Sequence, residues 1–291
     1  MSEQPSHYLD TLAMWDGGLY AANTGHHRRY DDEFVRSLPL QPTDRVLDIG
    51  CGSGDFTATI AALVPDGGVV GIEPQPSLLE QAQRRARPNQ SFVQAPAQQL
   101  AAAIAAAGAT DGDAAAAEPF DVIMSRAVLH WIPWTDHRSI LEQCHTLLRP
   151  GGVLRIECGG GDNVREVVAF LDDVTASIAG VGSSREPVTA PWHFVHAGAY
   201  LDLLLGVGFD VDNGFVRTVA QRRPFDRESI TGWLHSQAAQ AYEVGLDPDE
   251  RARLRAAIDE RVDELRRPDE SYDLTFVRLD LLVHAPAPRS R

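Results

Sequence analysis

Three glycines at alternate positions, framed by acids, carry the chemistry of this chain. The segment Val46-Leu47-Asp48-Ile49-Gly50-Cys51-Gly52-Ser53-Gly54 closes a hydrophobic run on Asp48 and passes into Asp55 and a helical pattern. Glycine is needed where a backbone turns tightly or where a ligand must approach without a Cβ in the way. Twenty-three residues after Gly50, the apolar run Val69-Val70-Gly71-Ile72 ends in Glu73. An acid at that distance, at the tip of the next strand, can accept hydrogen bonds from both hydroxyls of a ribose. A dinucleotide fingerprint, G-x-G-x-x-G, would have a third glycine where this chain has Asp55. An anion there repels a pyrophosphate and tolerates a cation. Asp48, Gly50, Cys51, Gly52 and Glu73 thus outline a slightly acidic nucleoside site. The competing reading is a tight glycine turn in an unrelated α/β protein, which leaves the two acids without a purpose.

Alternating elements must hold these residues. Strand patterns fall at 44–49, 68–73, 90–95, 120–125 and 152–158, with helical patterns at 55–63, 76–86, 97–106 and 136–148. Such alternation predicts a parallel sheet with helices on both faces, a doubly wound α/β fold. Thr135 is placed to cap helix 136–148, and Leu148-Arg149-Pro150-Gly151-Gly152 is placed to stop it. Eleven of the eighteen residues 101–118 are alanine, which predicts a helix followed by a surface loop. Helices are expected at 163–178, 197–207, 227–242 and 248–266, and a strand near 209–220. Residues 273–284 set Val277, Leu279 and Leu281 against Arg278 and Asp280, the alternation of a half-buried strand.

Ligands of open α/β sheets bind beyond the carboxyl ends of the strands. Asp48–Gly50, Glu73, Gln94–Gln98 and Ser125–Trp131 therefore face one crevice. The glycine loop with its two acids, and the Leu148–Gly152 run before a strand, resemble the class I S-adenosylmethionine-dependent methyltransferases. The spelling Leu129-His130-Trp131-Ile132-Pro133 is similar to that of trans-aconitate methyltransferase-like proteins. The resemblance is strong over about residues 44–158 and architectural elsewhere. It implies a Rossmann-like, mostly parallel seven-stranded sheet with an antiparallel last strand, and S-adenosylmethionine as cofactor. It also implies a single domain over 1–291. Residues 1–40 would form a helical lid, 41–160 the cofactor-binding core, and 161–291 an acceptor-side cap and the end of the sheet.

Site residues follow from the same resemblance. Pro74 and Gln75 would flank the adenine. Pro96 stands where relatives carry an acid for the adenine amino group, so the Ala97 backbone and the Gln98 side chain would replace it. Ser125 and Arg126 would lie by the methionine part of the cofactor. His130 has a pKa range suited to a general base, although a local hydrogen-bonding role would also explain it, and Trp131 reads as a pocket wall. In the lid, Tyr20, Asn23, His26 and His27 supply rings and hydrogen bonds to the acceptor, with Tyr20 and His27 as catalytic candidates. Trp192 and His193 would form the far wall.

Composition narrows the substrate. With 26 Lys and Arg against 41 Asp and Glu, the net charge is −15. That disfavours nucleic acid, whose binding rests on phosphate neutralisation. There is no long apolar stretch for a membrane span and no signal-peptide pattern. Cys51, Cys144 and Cys158 form no C-x-x-C pair, so they read as reduced thiols and no metal site is spelled. The chain is expected to be cytoplasmic, a monomer or homodimer. Residues 125–128 are not the Asn/Asp-Pro-Pro-aromatic motif of nucleic-acid amino-methyltransferases. A small-molecule acceptor is expected. The ring-rich lid favours an aromatic or heteroaromatic one, methylated at carbon, nitrogen or oxygen. The alternative is a small organic acid, methylated at a carboxylate held by Arg185, His193, Arg217 or Arg222. A non-catalytic nucleoside binder would show a damaged loop or lack Glu73, and an NAD-dependent oxidoreductase is opposed by Asp55.

Overall fold

Strands β1 (Arg45–Ile49), β2 (Gly68–Ile72), β3 (Gln90–Val93), β4 (Phe120–Arg126) and β5 (Leu148–Gly159) lie side by side in the order β3-β2-β1-β4-β5, all parallel. Beyond β5 comes β7 (Leu274–His284), antiparallel to it, and then β6 (Asp210–Arg223). This is the seven-stranded, mostly parallel sheet that the sequence implies. The chain is seen here as a computed structural model that describes residues 28–110, 118–178 and 192–287.

The described residues fall into two units. One, the sheet unit, comprises 28–110, 118–161, 193–219 and 278–287; the other, the helical unit, comprises 162–178, 192 and 220–277. In the sheet unit, Val46, Leu47 and Ile49 of β1 are all buried, as expected of a central parallel strand covered on both faces. Helix α1 (Arg28–Ser37) adds Phe34 to the core formed by Val46, Ile60, Val69, Val122 and Met124. Helix α2 (Asp55–Leu63) follows the glycine loop, α3 (Pro76–Arg84) follows Glu73, and α4 (Leu100–Thr110) follows a 3-10 turn at Ala97–Gln99. Helices α5 (Trp134–Leu147) and α7 (Ala197–Val207) complete the sheet unit.

Three local expectations change. Helix α5 begins at Trp134, behind Pro133 and without a side-chain cap, while the Thr135 hydroxyl turns to the Asp136 carboxylate at 3.2 Å. Leu148 passes straight into β5, and a register shift between Phe120 and Val122 absorbs the Pro-Gly-Gly turn. Strand β7 is buried almost throughout, not half-buried. It is an interior strand of the sheet, and its charges are paired within it: Asp280 lies 2.6 Å from Arg155 and 2.8 Å from Arg217.

In the helical unit, α6 (Arg165–Ile178) buries Val167, Phe170, Leu171 and Val174. The helix expected over 227–242 is interrupted. It runs as α8 (Arg227–Trp233), a π-helical stretch at Leu234–Ala238 and α9 (Ala239–Tyr242). The Ser236 hydroxyl donates to the Gly232 carbonyl at 2.7 Å in the widened turn. Helix α10 (Pro248–Arg261) starts at an Asp247–Glu250 capping box with proline in its first turn.

Candidate active site

The glycine loop is held from below and open above. The Gly50 and Cys51 amides donate to the Ile72 carbonyl at 2.8 and 3.0 Å, which ties the end of β1 to the end of β2. Gly50 has φ +76, and a Cβ there would collide with Val128. Its glycine serves packing as much as ligand approach. Gly52 differs: at φ +56 its missing Cβ would face open space, with nothing within 4 Å. That is a cradle a ligand can fill.

Glu73 closes the loop. One carboxylate oxygen accepts from the Gly52 amide at 3.0 Å and the other from the Gln75 amide at 3.0 Å. Each oxygen keeps a second lone pair for a ribose hydroxyl. Burial raises the pKa of Glu73, and the two amide donors oppose that shift. Asp48, one strand over, is also buried. It accepts from the Thr57 hydroxyl at 2.7 Å, joining β1 to α2. Burial pushes Asp48 up to about 6, with the Thr57 bond opposing, Glu73 adding to the rise and Arg126 opposing it. Burial also drives the Cys51 thiol far up, with Asp48 and Glu73 adding to it, so Cys51 lines the loop as a neutral thiol. Asp55 is mostly exposed and pairs with Arg85 at 2.9 Å.

On the expected adenine side, Gln75 is a helix cap. Its side-chain oxygen accepts from the Ser77 amide at 2.9 Å, which fixes the side chain next to Pro74. Ala97 is buried at the head of the 3-10 turn. The Gln98 amide nitrogen donates to Asp136 at 3.1 Å, and its buried side-chain oxygen has no hydrogen-bond partner. A buried orphan acceptor invites a donor, and an adenine amino group is one. The open Gly52 cradle, the Glu73 oxygens and this orphan acceptor fit a bound adenosine moiety.

At the end of β4, the Ser125 hydroxyl donates to the Ile49 carbonyl at 3.1 Å, bracing β4 against β1. Arg126 stands over the Phe56 ring, 5.1 Å from its centroid, and 4.0 Å from Glu157. Ala127 adopts φ +57 and donates to the Glu157 carbonyl at 2.7 Å. This left-handed residue redirects the chain into the turn that carries His130 and Trp131. His130 is buried. Its Nδ1 accepts from the Gly159 amide at 3.1 Å, which leaves the ring proton on Nε2. Burial first, then the nearby Arg278 and His137, lower its pKa to about 3. The His130 carbonyl accepts from the His193 amide at 2.8 Å, and the Trp131 and Phe194 rings lie 5.4 and 5.7 Å from the imidazole. Trp192 meets Tyr242 edge to face at 6.0 Å within the helical unit. Tyr20, Asn23, His26 and His27, expected in the lid, lie outside the described residues.

The expected acid-holding cations have other work. Arg217 pairs with Asp280 at 2.8 Å, and Arg222 with Asp273 at 2.8 Å and Asp269 at 3.3 Å. Arg185 lies outside the described residues. Sequence reasoning missed Glu157 and Arg278, which sit at the carboxyl end of β5 and beside it in β7 and make an ion pair at 3.6 Å. The available signal was the charge inside interior strands, in Arg155-Ile156-Glu157 and Arg278-Leu279-Asp280.

The family described as "Methyltransferase domain" matches residues 47–154, the stretch from the glycine loop to β5. A trans-aconitate 2-methyltransferase of Methylobacterium radiotolerans is 31% identical over 255 residues, covering 87% of this chain and 90% of that protein. One from an Enterobacter species is 28% identical, covering 84% and 86%. Among solved structures, the cyclopropane synthase MmaA2 of Mycobacterium tuberculosis shares the fold, with a TM-score of 0.53 at 18% identity over 88% of this chain and 83% of that one. Fold, loop and sequence together define a class I S-adenosylmethionine-dependent methyltransferase. The chain belongs to the family of these enzymes that includes the trans-aconitate 2-methyltransferases.

Proposed function

We propose that this enzyme methylates a carboxylate oxygen of a small organic acid. The observation that carries the reading is the state of His130: Nδ1 is occupied by the Gly159 amide and the ring is held neutral with its proton on Nε2. A ring in that state donates a hydrogen bond and is a poor base. A phenol, indole or amine acceptor calls for a base, whereas a carboxylate is already a nucleophile at neutral pH. The relatives named trans-aconitate 2-methyltransferase agree with this, and none of the comparisons favours the aromatic acceptor that the ring-rich N-terminal segment suggested.

Bound S-adenosylmethionine supplies an electrophilic methyl carbon on a sulfonium. The chain's own residues orient and select. Gly52 leaves room for the nucleoside, Glu73 takes its ribose, Pro74 and Gln98 take its adenine, and Asp48 and Cys51 line the loop beneath. Ser125 and Arg126 stand at the methionine side. His130 Nε2–H donates to the acceptor carboxylate, with Trp131 and His193 beside it. Tyr20, Asn23, His26, His27 and Trp192 remain assigned to the acceptor, and residues 161–291 to acceptor selection. We assign the enzyme to the cytoplasm. No described helix is long and apolar enough to cross a membrane.

The test is incubation with methyl-labelled S-adenosylmethionine and a panel of di- and tricarboxylic acids, phenols and indoles. Label should appear in an acid as a base-labile methyl ester, with kcat flat from about pH 6.5 upward because the acceptor is already ionised. Label in a phenol or indole, or a rate climbing with pH, would overturn the carboxylate reading.

A further inference from the structure

Two arginines of the same sheet, Arg155 buried and Arg278 half-buried, are held very differently. Arg155, with 4% of its side chain exposed, donates to Ser37 Oγ at 2.9 Å and to the Ile156 and Leu281 carbonyls at 2.9 and 3.0 Å, and pairs with Asp280 at 2.6 Å. Its guanidinium is satisfied as buried charges normally are. Arg278, with 15% exposed, makes a single ion contact among the described residues, to Glu157 at 3.6 Å, and no hydrogen bond. Glu157 in turn is held only by that contact and by Arg126 at 4.0 Å. Its side chain makes no hydrogen bond among the described residues. A half-buried guanidinium without a hydrogen bond to the described residues keeps its donors for an incoming acceptor.

Its position says what that is. Gly159 lies opposite Arg278 in the β5–β7 register, and the Gly159 amide holds His130. Arg278 acts on His130 electrostatically. The His130 Nε2–H has no hydrogen-bond partner among the described residues. A planar five-donor fork beside a neutral N–H donor, at the carboxyl ends of the strands, matches an acid carrying more than one carboxylate.

We propose that Arg278 is the cation that receives a carboxylate of the acceptor, with Glu157 holding the guanidinium in place until the acceptor arrives. The proposal rests on the carboxylate reading above. It makes Arg278 a determinant of specificity for polycarboxylates, with His130 donating to the carboxylate that takes the methyl group.

The probe is trans-aconitate, tested for methyl transfer and for binding by calorimetry in the presence of S-adenosylhomocysteine. R278Q should raise KM and Kd for trans-aconitate about tenfold to a hundredfold, the loss of one or two charge-assisted hydrogen bonds. S-adenosylhomocysteine affinity should stay within about twofold, which shows the fold intact. R278K keeps the charge without the fork and should fall between. In R278A, millimolar guanidinium should restore part of the acceptor affinity, which a purely structural arginine would not show. E157Q loosens the hold on the guanidinium and should raise acceptor KM by less than R278Q does. Wild-type enzyme that neither binds nor methylates any di- or tricarboxylic acid overturns the carboxylate reading and this assignment with it. Wild-type activity on trans-aconitate with an unchanged KM in R278Q overturns the assignment alone. So does an E157Q defect as large as that of R278Q, which would make the pair structural.

Discussion

Asp48→Asn should change how stability depends on pH, and the size of the change follows from burial. Asp48 is 3% exposed and accepts one hydrogen bond, from Thr57. Its carboxyl is raised from the ordinary 3.8 to about 6, with burial the largest cause. A carboxyl raised by folding binds its proton more tightly in the native state than in the unfolded one. The stability associated with the protonated group is therefore fully present below the unfolded value and is lost as pH rises through the folded one. Over the interval from 3.8 to about 6, at ~1.4 kcal/mol per pH unit, that loss is about 3 kcal/mol. Asparagine keeps an acceptor for Thr57 and carries no charge. Urea unfolding at about pH 4 and about pH 7.5 should show the variant gaining about 2.5 kcal/mol on the wild type between the two, because part of the loss has already occurred at about pH 4. The difference between the two pH values is the informative quantity, because the amide nitrogen adds its own constant cost. A cation bound at the loop should also draw the Asp48 pKa back down. S-adenosylmethionine binding near pH 6 should then release protons, seen as a buffer-dependent calorimetric enthalpy, and Asp48→Asn should abolish that dependence. A pH-independent stability difference would refute the burial argument, and proton release that persists in the variant would refute its link to the cofactor.

Glu73→Ala removes the acceptor of two backbone amides as well as that of the ribose. Cofactor affinity by calorimetry should fall at least about tenfold, and melting should show lower stability as the loop loses its clamp. Gly52→Ala places a Cβ in the open space beside the loop at a left-handed φ. It should cost about 1–2 kcal/mol of stability, and S-adenosylhomocysteine should no longer raise the melting temperature. Normal stabilisation by the ligand would mean that the space is not the cofactor's. His130→Gln should lower kcat about tenfold by the same factor from about pH 6.5 to about pH 9. A loss that shrinks at high pH would restore the general-base role expected from the sequence.

The sheet and the loop were legible because both are written in local pattern. Buried β-branched runs alternating with helical stretches permit few arrangements, and the acid-glycine-acid spacing fixes the switch point between β1 and β4. The helix starts at Asp55 and Ala197 fall where apolar periodicity places them. Other features were hidden because they depend on tertiary partners. Asp280 and Arg278 alternate with apolar residues as if facing water, yet β7 is an interior strand whose charges find Arg155, Arg217 and Glu157 across the sheet. Gln75 reads in the sequence as a flank of the adenine, and only the chain direction after Glu73 shows that its side chain caps a helix. His130 in isolation has a useful pKa. The Gly159 amide, brought to it by β5, selects the tautomer that donates. Arg217 and Arg222 looked available until their carboxylate partners folded beside them.

Charge is sorted across the sheet unit in a way that composition conceals. A net charge of −15 argues against an anionic acceptor. Two of the chain's buried acids, however, Asp48 and Glu73, stand at the ends of β1 and β2, where burial raises both. Arg126 and Arg278 stand on the other side of the sheet unit, where they flank Glu157. In the carboxylate reading proposed above, moving a methyl group from a sulfonium to the carboxylate at His130 cancels one positive and one negative charge at once. Asp48 and Glu73 would lose the cation that relieves their burial, and the His130 Nε2–H would lose its anionic acceptor, while the carboxylate proposed for Arg278 keeps its charge. The side chains that attract the two reactants are thus less suited to the two products, so the electrostatics that assemble the site would also favour its emptying.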